Sequence, residues 1–253
     1  EIDRLSERAF PETIANAARQ LGCKSVAYTY NDPVIWAEYA IDTAKACRQV
    51  GVQSVAVTAG YISPQARGPF FEFMDAANVD LKSFSEEFYQ KITYSHLQPV
   101  LETLEWIHRE TNVWLEITNL LIPEANDQPE EIRKMCRWLL SHVGDEVPLH
   151  LTAFHPDYRM LDRPRTPRDT LLDARRLALD EGLKHVYVGN ISDVDHQSTV
   201  CPSCHRSVIE RRGYELGRWD LQGNRCKGCG SAIAGRFELR PGDWGAQRKA
   251  INI

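Results

Sequence analysis

The sequence lacks any apolar run of the roughly 18 residues that a membrane span needs. It also opens without the charged-then-apolar pattern of a secretory signal peptide. These absences lead us to expect a cytoplasmic protein that has no transmembrane helix and does not associate with membranes. Hydrophobic residues make up 43% and charged residues 26% of the 253 residues, which is ordinary for a soluble globular chain.

A framework of paired disulfide cysteines is absent as well. Of the seven cysteines, Cys23, Cys47 and Cys136 stand alone in apolar patterns, and the other four form two Cys-x-x-Cys pairs. An odd count with two tight pairs is typical of metal binding in a reducing compartment and not of a secreted disulfide scaffold.

Charge is distributed unevenly along the chain. The net charge is −5, yet from Cys201 onward ten Lys and Arg residues face five Asp and Glu residues, so that this tail carries +5 and the rest −10. Cysteine usage and charge both change near residue 196. We therefore predict two domains, residues 1–196 and residues 197–253.

The first domain alternates short β-branched or aromatic runs with helical patterns. The predicted strands are residues 25–30, 54–58, 78–81, 113–121, 149–154 and 185–189. They are apolar runs more than strict alternations, which favours parallel strands covered on both faces. Three helices have readable starts, namely an Asp32 cap before Pro33, a start at Pro129, and a capping box over residues 166–169. Gly51 and Gly182 are the predicted ends of the first and third.

The sequence has no Gly-rich turn after its first strand, where a dinucleotide-binding fold would carry one. That strand runs into Tyr30-Asn31-Asp32-Pro33 instead. We therefore predict an α/β fold with a partial (β/α)6-type parallel barrel, followed by a C-terminal zinc ribbon. In such a barrel, polar residues at the carboxyl ends of the strands form one site.

Polar side chains do follow or end the predicted strands. The candidate cofactor-binding residues are Asn31, Asp32, Thr58, Asp80, Lys82, Glu116 and His155. Structural roles are open for several of them: Asp32 as a helix cap, Asp80 and Lys82 as a solvated ion pair, and His155 as a hydrogen-bonded core histidine. Glu116 lies inside an apolar strand and needs a partner, because an unpaired buried carboxylate is costly.

These residues lie in motifs that resemble a known family. Residues 28–33 (Tyr-Thr-Tyr-Asn-Asp-Pro), 57–61 (Val-Thr-Ala-Gly-Tyr), 80–82 (Asp-Leu-Lys) and 154–158 (Phe-His-Pro-Asp-Tyr), together with 121–123 (Leu-Ile-Pro) and Asn126-Asp127, resemble the strand-end motifs of radical S-adenosylmethionine (SAM) enzymes. The branch is that of pyruvate formate-lyase activating enzyme, and more narrowly that of the radical SAM member of the AmmeMemoRadiSam system, whose four-cysteine ribbon the chain shares.

The resemblance implies an enzyme that binds SAM and a [4Fe-4S] cluster at the open end of its barrel. Reduced cluster and SAM would give methionine and a 5′-deoxyadenosyl radical, which abstracts a hydrogen atom from a substrate. By position, Asn31 and Asp32 would receive the methionine amino group, although the Gly-Gly-Glu segment of relatives is replaced here. Asp80, Lys82 and His155 would lie near the cofactor. The implied partners are an unknown substrate, a protein among the options, and other proteins of the AmmeMemoRadiSam system.

The family's Cys-x-x-x-Cys-x-x-Cys motif, which binds the cluster, is absent from these residues, and Cys23 and Cys47 are too far apart to replace it. Residues 1–3 (Glu-Ile-Asp) resemble the stretch just past its third cysteine. Either the sequence has lost its first strand and cluster loop, or the protein lacks them, and a start at Glu1 instead of Met favours the loss. As written, the chain is expected to be inactive.

Two Cys-x-x-Cys pairs, Cys201 with Cys204 and Cys226 with Cys229, are separated by 21 residues and form one predicted metal site. Four thiolates give zinc a closed tetrahedral shell, so we predict a structural role. Rubredoxin-like iron uses the same ligands. Residues 207–210 and 214–216 are predicted short strands of the ribbon, and His205 is redundant as a ligand.

Two other functions stay open. The basic ribbon, with Tyr214 and Trp219 among its arginines, is compatible with a zinc-ribbon nucleic-acid-binding or scaffold protein that has no enzymatic activity. Its charge is modest, however, so we do not expect nucleic acid as a partner. An aldolase-like barrel with Lys82 as a Schiff-base nucleophile is the remaining alternative.

Overall fold

The fold was analysed in a computed structural model, which describes residues 9–248 and Ile251. The expectation about residues 1–3 lies outside the described residues. Two compact units are distinguished. One contains the described residues up to Val79 together with residues 99–115, and the other contains residues 80–98 and 116–247.

All six predicted strands are present, with ends that shift by two residues at most. They are β1 (Ser25–Tyr28), β2 (Gln53–Thr58), β3 (Ala76–Asp80), β4 (Trp114–Leu121), β5 (Leu149–Ala153) and β6 (Val186–Gly189). They form one six-stranded sheet in the order of the sequence, and the registered pairs are parallel. This sequential order confirms the barrel-type α/β fold and differs from the reversed order of a doubly wound sheet.

Helices occupy the intervals between strands. They are α1 (Pro11–Gln20), α2 (Ala37–Gln49), α3 (Pro64–Phe71), the single turn α4 (Glu86–Phe88), α5 (Leu97–Glu110), α6 (Pro129–His142), α7 (Arg168–Glu181) and α8 (Val194–Gln197). Proline opens α1, α3 and α6, where its missing N–H costs nothing. No helix in the described part of the chain combines the length and apolarity that crossing a bilayer requires.

The expectation that the strands are covered on both faces is wrong for β2 to β5, where one face is buried and the other is half-buried. Along β4 and β5 the side chains alternate strictly between buried and half-buried. Leu149, Leu151 and Ala153 are buried, whereas His150 and Thr152 on the opposite face are not. Since successive side chains of a strand point to opposite faces, one face of β4 and β5 meets the core, and the other carries polar groups as well as Trp114 and Leu120.

The predicted Asp32 cap is confirmed. The Asp32 side chain accepts a hydrogen bond from the backbone N–H of Val34 at 3.1 Å, and a short 3-10 helix, Pro33–Trp36, precedes α2. Gly51 and Gly182 follow their helices with φ of +76° and +121°, which glycine adopts without a steric penalty.

The predicted capping box over residues 166–169 is wrong. Pro167 is the N-cap of α7, and no side chain caps that end. The Thr166 hydroxyl instead donates to the carbonyl oxygen of Leu121 at 2.6 Å and accepts from the backbone N–H of Phe154 at 2.8 Å. Thr166 is buried, so its hydroxyl needs hydrogen-bond partners. It finds them in the backbone of Leu121 and Phe154 and not at the start of α7.

The C-terminal segment forms small antiparallel sheets. Its strands are β7 (Thr199–Val200), β8 (Ser207–Arg212), β9 (Glu215–Trp219), β10 (Leu221–Gln222) and β11 (Arg225–Cys226). They include the two strands predicted between the cysteine pairs. The division at residues 196 and 197 stays a prediction.

Candidate functional site

Asp32 connects the carboxyl ends of β1 and β2 in the first unit. One carboxylate oxygen accepts from the Thr58 hydroxyl at 2.8 Å, and the other accepts from the backbone N–H of Ala59 at 2.8 Å. The Thr58 hydroxyl also accepts from the N–H of Gly60 at 3.1 Å. The neighbouring Asn31 is exposed. Asp32 and Thr58 therefore fix the backbone at two strand ends, and their contact with a cofactor stays a prediction.

Asp80 and Lys82 form an ion pair in the second unit. The Lys82 Nζ donates to an Asp80 carboxylate oxygen at 2.6 Å, with 34% and 26% of the two side chains exposed. A half-buried pair of this kind is held more firmly than a surface pair and still presents both charges to a ligand. It can therefore bind a ligand that has an ammonium and a carboxylate group.

The backbone around Lys82 is immobilised by side chains far away in the sequence. Asn119 donates its Nδ2 to the carbonyl oxygen of Leu81 at 2.7 Å, and Asn126 donates its Nδ2 to that of Lys82 at 2.6 Å. The Lys82 N–H donates to the Tyr89 hydroxyl at 3.1 Å. Because these three hydrogen bonds hold the backbone of residues 81 and 82, the ion pair lies on a preorganised segment.

One acceptor in this segment is left over. Among the described residues, the Asn119 Oδ1 is the buried side-chain oxygen or nitrogen that has no hydrogen-bond partner. Buried acceptors are normally satisfied by protein, water or a ligand. This vacant hydrogen-bonding capacity next to the Asp80–Lys82 segment is consistent with a polar ligand or a bound water there.

Glu116 of β4 is paired with a histidine of β5. Its carboxylate lies 2.6 Å from the Nε2 of His150 on β5. The His150 ring stacks on Tyr187 of β6, with ring centroids 5.2 Å apart and planes 22° from parallel. The three side chains cross the half-buried face of β4, β5 and β6 in order.

His155 follows β5 and is exposed. The expectation of a hydrogen-bonded core histidine is therefore wrong, since the ring does not lie in the core. Thr166 fixes the backbone of Phe154, the residue immediately before it. The Asn190 Nδ2 donates to the carbonyl oxygen of Ala153 at 3.1 Å and holds the end of the same strand. His155 is thus carried on a fixed strand end, and its role near a cofactor stays a prediction.

The four ribbon cysteines lie together. All four Sγ atoms are within 4.8 Å of one another, with 3.6 Å between those of Cys201 and Cys229 and 3.7 Å between those of Cys204 and Cys226. A tetrahedral zinc site with Zn–S bonds of about 2.3 Å has sulfur atoms about 3.8 Å apart. The donor set therefore fits a structural zinc ion in chemistry and in spacing.

Each cysteine pair is shaped by the same turn. The N–H of His205 donates to the carbonyl oxygen of Cys201 at 2.9 Å, and that of Gly230 donates to the carbonyl oxygen of Cys226 at 2.8 Å. Both residues are left-handed, with φ of +57° and +77°. His205 thus has a backbone role in closing its turn, and the four sulfur ligands are complete without its ring.

Two of the four cysteine thiols differ in pKa. Hydrogen bonds with Ser231 lower the pKa of Cys229 to about 6. The backbone N–H of Arg206 acts in the same direction on Cys204, but burial and hydrogen bonds with the other three thiols outweigh it and raise its pKa to about 11. Binding of a divalent cation would therefore displace protons from the cluster.

Comparisons with known proteins agree on the fold. No family profile matches the chain. An uncharacterized protein of Methanocaldococcus jannaschii, MJ0808, is 37% identical over 225 residues, which cover 88% of this chain and 66% of that protein. The chain thus spans less than two thirds of this relative.

Three solved structures share the fold of this chain at low sequence identity. A domain of pyruvate-formate lyase-activating enzyme from Bacteroides vulgatus matches with a TM-score of 0.58 at 17% identity and covers 66% of this chain and 99% of that domain. A radical SAM methyltransferase from Sphaerobacter thermophilus gives 0.55 at 15% identity, covering 69% and 53%. SuiB from Streptococcus suis bound to S-adenosylmethionine gives 0.54 at 11% identity, covering 70% and 40%.

The chain has a radical SAM fold.

Within this radical SAM fold, the residues present do not supply a site for an iron–sulfur cluster. In the described part of the chain, the four ribbon cysteines are the one group of three or more potential metal-ligating residues that lies close enough to bind an ion. Cys47 and Cys136 are buried and solitary, and Cys23 is exposed. Among the described residues, none of these three solitary cysteines belongs to a group of ligands that could replace the cysteine triad.

Sequence reasoning missed several residues of the candidate site. It did not identify His150 or Tyr187. It also did not predict that the Asn119 and Asn126 side chains bind the backbone carbonyls of Leu81 and Lys82. For His150 a signal was available, because 149–153 alternates apolar and polar residues and so predicts a polar face. Asn126 lies in one of the motifs that carry the resemblance, but the bonding partners of Asn119 and Asn126 gave no signal, since they are backbone carbonyls 38 and 44 residues away.

Proposed function

We propose that this chain belongs to a radical SAM enzyme whose iron–sulfur ligands are not among these 253 residues. The observation that carries the proposal is the six-stranded parallel sheet, which matches radical SAM proteins, with a fixed Asp80–Lys82 pair after β3. A fold can host many activities, so the residues of the site have to support the function themselves.

The residues of the second unit suit the binding of SAM. The Asp80 carboxylate and the Lys82 ammonium can pair with the amino and carboxylate groups of its methionine end. In the first unit, Asp32 and Thr58 fix the backbone at two strand ends, and a cofactor contact there is a separate part of the proposal. When bound, SAM and a reduced [4Fe-4S] cluster supply a 5′-deoxyadenosyl radical for hydrogen abstraction. The chain's part is to orient these groups and to exclude water.

A finer proposal is an activating-enzyme-like activity. It is supported by the match that covers 99% of the domain of pyruvate-formate lyase-activating enzyme. The substrate would then be a protein, and the partners would be proteins of the AmmeMemoRadiSam system. The four-cysteine ribbon would bind structural zinc and take no part in the chemistry, because its shell is closed.

The test begins with the residues that precede Glu1 in the gene. A protein that includes them is reconstituted anaerobically with iron and sulfide, and its metals are counted. We expect about four iron atoms beyond the ribbon metal, and 5′-deoxyadenosine once SAM and dithionite are added. If those residues encode no closely spaced cysteine triad, or if no 5′-deoxyadenosine forms, the proposal fails.

Variants then test the SAM contacts. D80N and K82M each remove a charge-assisted hydrogen bond, worth about 1.5–3 kcal/mol, so SAM affinity should fall about 10- to 100-fold. K91M is the matched control, because Lys91 forms an exposed helical ion pair with Glu87. Equal SAM affinity in D80N, K82M and K91M would contradict the assignment of the Asp80–Lys82 pair.

The nucleic-acid alternative has weaker support. Several exposed ribbon cations have partners within the ribbon: Arg212 pairs with Glu210 at 3.0 Å, Arg218 lies 4.0 Å from Asp220, and Lys227 donates to the carbonyl oxygen of Trp219. These contacts reduce the charge available for a phosphate backbone. The Schiff-base alternative is weakened because the Lys82 ammonium is engaged by Asp80 instead of standing as a free amine. RNA affinity that falls steeply with salt, or borohydride trapping at Lys82, would favour these alternatives.

A further inference from the structure

The Glu116–His150 pair has the geometry of a proton-transfer pair. A carboxylate oxygen of Glu116 lies 2.6 Å from the His150 Nε2, and about a third of each side chain is exposed. An ionised carboxylate can only accept a hydrogen bond, so the proton between them belongs to Nε2. In the neutral ring, Nδ1 then carries the lone pair.

His150 Nδ1 is open to a ligand. Among the described residues, no hydrogen bond to this nitrogen accompanies the bond at Nε2. An imidazole whose one nitrogen is fixed by a carboxylate and whose other nitrogen is open is the arrangement that general-base histidines use. The carboxylate sets the tautomer and stabilises the imidazolium that forms when Nδ1 takes up a proton.

The ring is held in position from the ribbon side. Tyr187 stacks on His150, and its hydroxyl lies 3.1 Å from the Thr199 hydroxyl of β7. Arg211 of β8 donates to the same Thr199 hydroxyl at 2.6 Å and places its guanidinium 5.7 Å from the centre of the Tyr187 ring. Thr199 is two residues before the metal ligand Cys201. A continuous set of contacts thus runs from the ribbon strands to His150.

The charged or titratable groups around the pair come from four elements. They are Glu116 on β4, Tyr187 on β6, Arg175 on α7 and Arg211 on β8. Burial raises the pKa of the Tyr187 phenol, so it stays protonated and can stack on His150 without adding charge. Glu116 is the carboxylate that contacts His150 within the part of the chain that the structure describes.

We propose that Glu116 and His150 form a proton-transfer pair facing the substrate, and that the metal-loaded ribbon positions it through Arg211, Thr199 and Tyr187. A proton passes from a substrate hydroxyl or ammonium group to the His150 Nδ1, the bonding electron pair stays on the substrate atom, and the imidazolium charge is balanced by Glu116. The reverse transfer restores the neutral ring. The proposed function is needed here only to identify the substrate, and the pair itself does not depend on it.

The first test determines the tautomer of His150. Nitrogen-15 correlation spectra of the purified chain, assigned with H150Q, show which ring nitrogen carries the proton in the neutral form. We expect Nε2 in the native chain and in E116Q, whose side-chain carbonyl can still accept, and a mixture of tautomers in E116L. A proton on Nδ1 in the native chain, or an unchanged spectrum in E116L, would overturn the pair.

The second test addresses the ribbon. Removal of the metal with a chelator should shift the His150 ring resonances and restore them when zinc is added back. R211M should shift them with the metal present, whereas R212M, which changes a neighbouring arginine paired with Glu210, should not. T199S, which keeps the hydroxyl, should preserve the native spectrum, and thermal melts confirm that each variant is folded.

Two results would refute the positioning role: His150 resonances that do not respond to metal removal, or equal shifts in R211M and R212M. Neither spectrum requires SAM or a cluster. A protein that fails to form 5′-deoxyadenosine can therefore still pass these tests, and the two proposals can fail separately.

Discussion

Asp32 shows how one carboxylate can hold two strand ends at once. Its oxygens accept from the N–H groups of Val34 and Ala59 and from the Thr58 hydroxyl. Three donors on one half-buried group make it a structural joint, whether or not a cofactor also contacts it.

We expect D32N to lower the free energy of unfolding by about 1–3 kcal/mol. The asparagine amide keeps one acceptor oxygen, but its NH2 group faces a donor that the second carboxylate oxygen of Asp32 now binds. Urea denaturation of the purified chain measures the change. D42N is the control, since Asp42 is exposed and pairs only with Lys45, and it should stay within about 0.5 kcal/mol of the native value. Equal effects of the two variants would argue against the joint.

Asp193 is the second residue whose charge the fold uses. It is buried, and its carboxylate accepts from Arg168 at 2.6 Å and lies 2.7 Å from the His196 Nδ1. Burial by itself would raise its pKa, but the bonds with His196 and Arg168 outweigh that effect and hold the pKa below the ordinary value of 3.8. The folded chain therefore stabilises the ionised form of Asp193 relative to the unfolded chain.

The stabilisation from Asp193 should depend on pH. Because the folded pKa is depressed, it is present in full above about pH 5 and is lost as pH falls through the folded pKa, below about pH 4. The difference in unfolding free energy between the native chain and D193N should follow this course in urea titrations. D195N, which changes an exposed neighbour, should show no such dependence. A constant difference from pH 7 to pH 3 would be the contrary result.

At the scale of elements, the loop after β2 depends on Gly60. Its φ is +68°, and a Cβ added there would lie 2.7 Å from a methyl carbon of Val79. Both the backbone conformation and the space therefore require glycine. Gly51, at φ +76°, has the same backbone requirement but open space around it.

G60A should therefore destabilise the chain more than G51A. The backbone term is about 1 kcal/mol at either position, and G60A adds the cost of displacing Val79, about 1–3 kcal/mol. Paired urea denaturation curves provide the measurement. If the two variants lose the same stability, Val79 moves aside freely and the close approach has no energetic weight.

The strands themselves were predictable, but their faces were only partly so. Sequence patterns placed all six strands within two residues, because β-branched and apolar runs bounded by turn residues are local signals. The same patterns suggested cover on both faces, and His150 was overlooked as a result. Thr166 failed as a cap because its hydroxyl bonds to Leu121, 45 residues away.

At the scale of the whole molecule, the ribbon has a small core. Its buried residues are Cys201, Val208, Ile209, Leu221, Cys226 and Ile233. Two of the six, Cys201 and Cys226, are predicted metal ligands, so little apolar burial is left to support the segment without an ion. Structural zinc contributes folding free energy directly in such sites.

Removal of the metal should therefore unfold the ribbon selectively. After chelation, hydrogen–deuterium exchange should rise by about tenfold or more over β8 to β11, while β4 and β5 keep their protection. C229S should act like the chelator. C23S is the matched control, because Cys23 is also exposed but lies outside the four-cysteine group. Unchanged exchange in the ribbon would contradict a structural role for the ion.

The sequence by itself determined the order of the six strands, the helix starts at Pro33 and Pro129, and the grouping of the four cysteines. Those features depend on residue type and on spacing along a short stretch of chain. Only the tertiary structure decided which polar groups meet: Glu116 with His150 across 34 residues, and Asn126 with the Lys82 carbonyl across 44. Strand register and loop packing bring these partners together, and neither leaves a trace in local spacing.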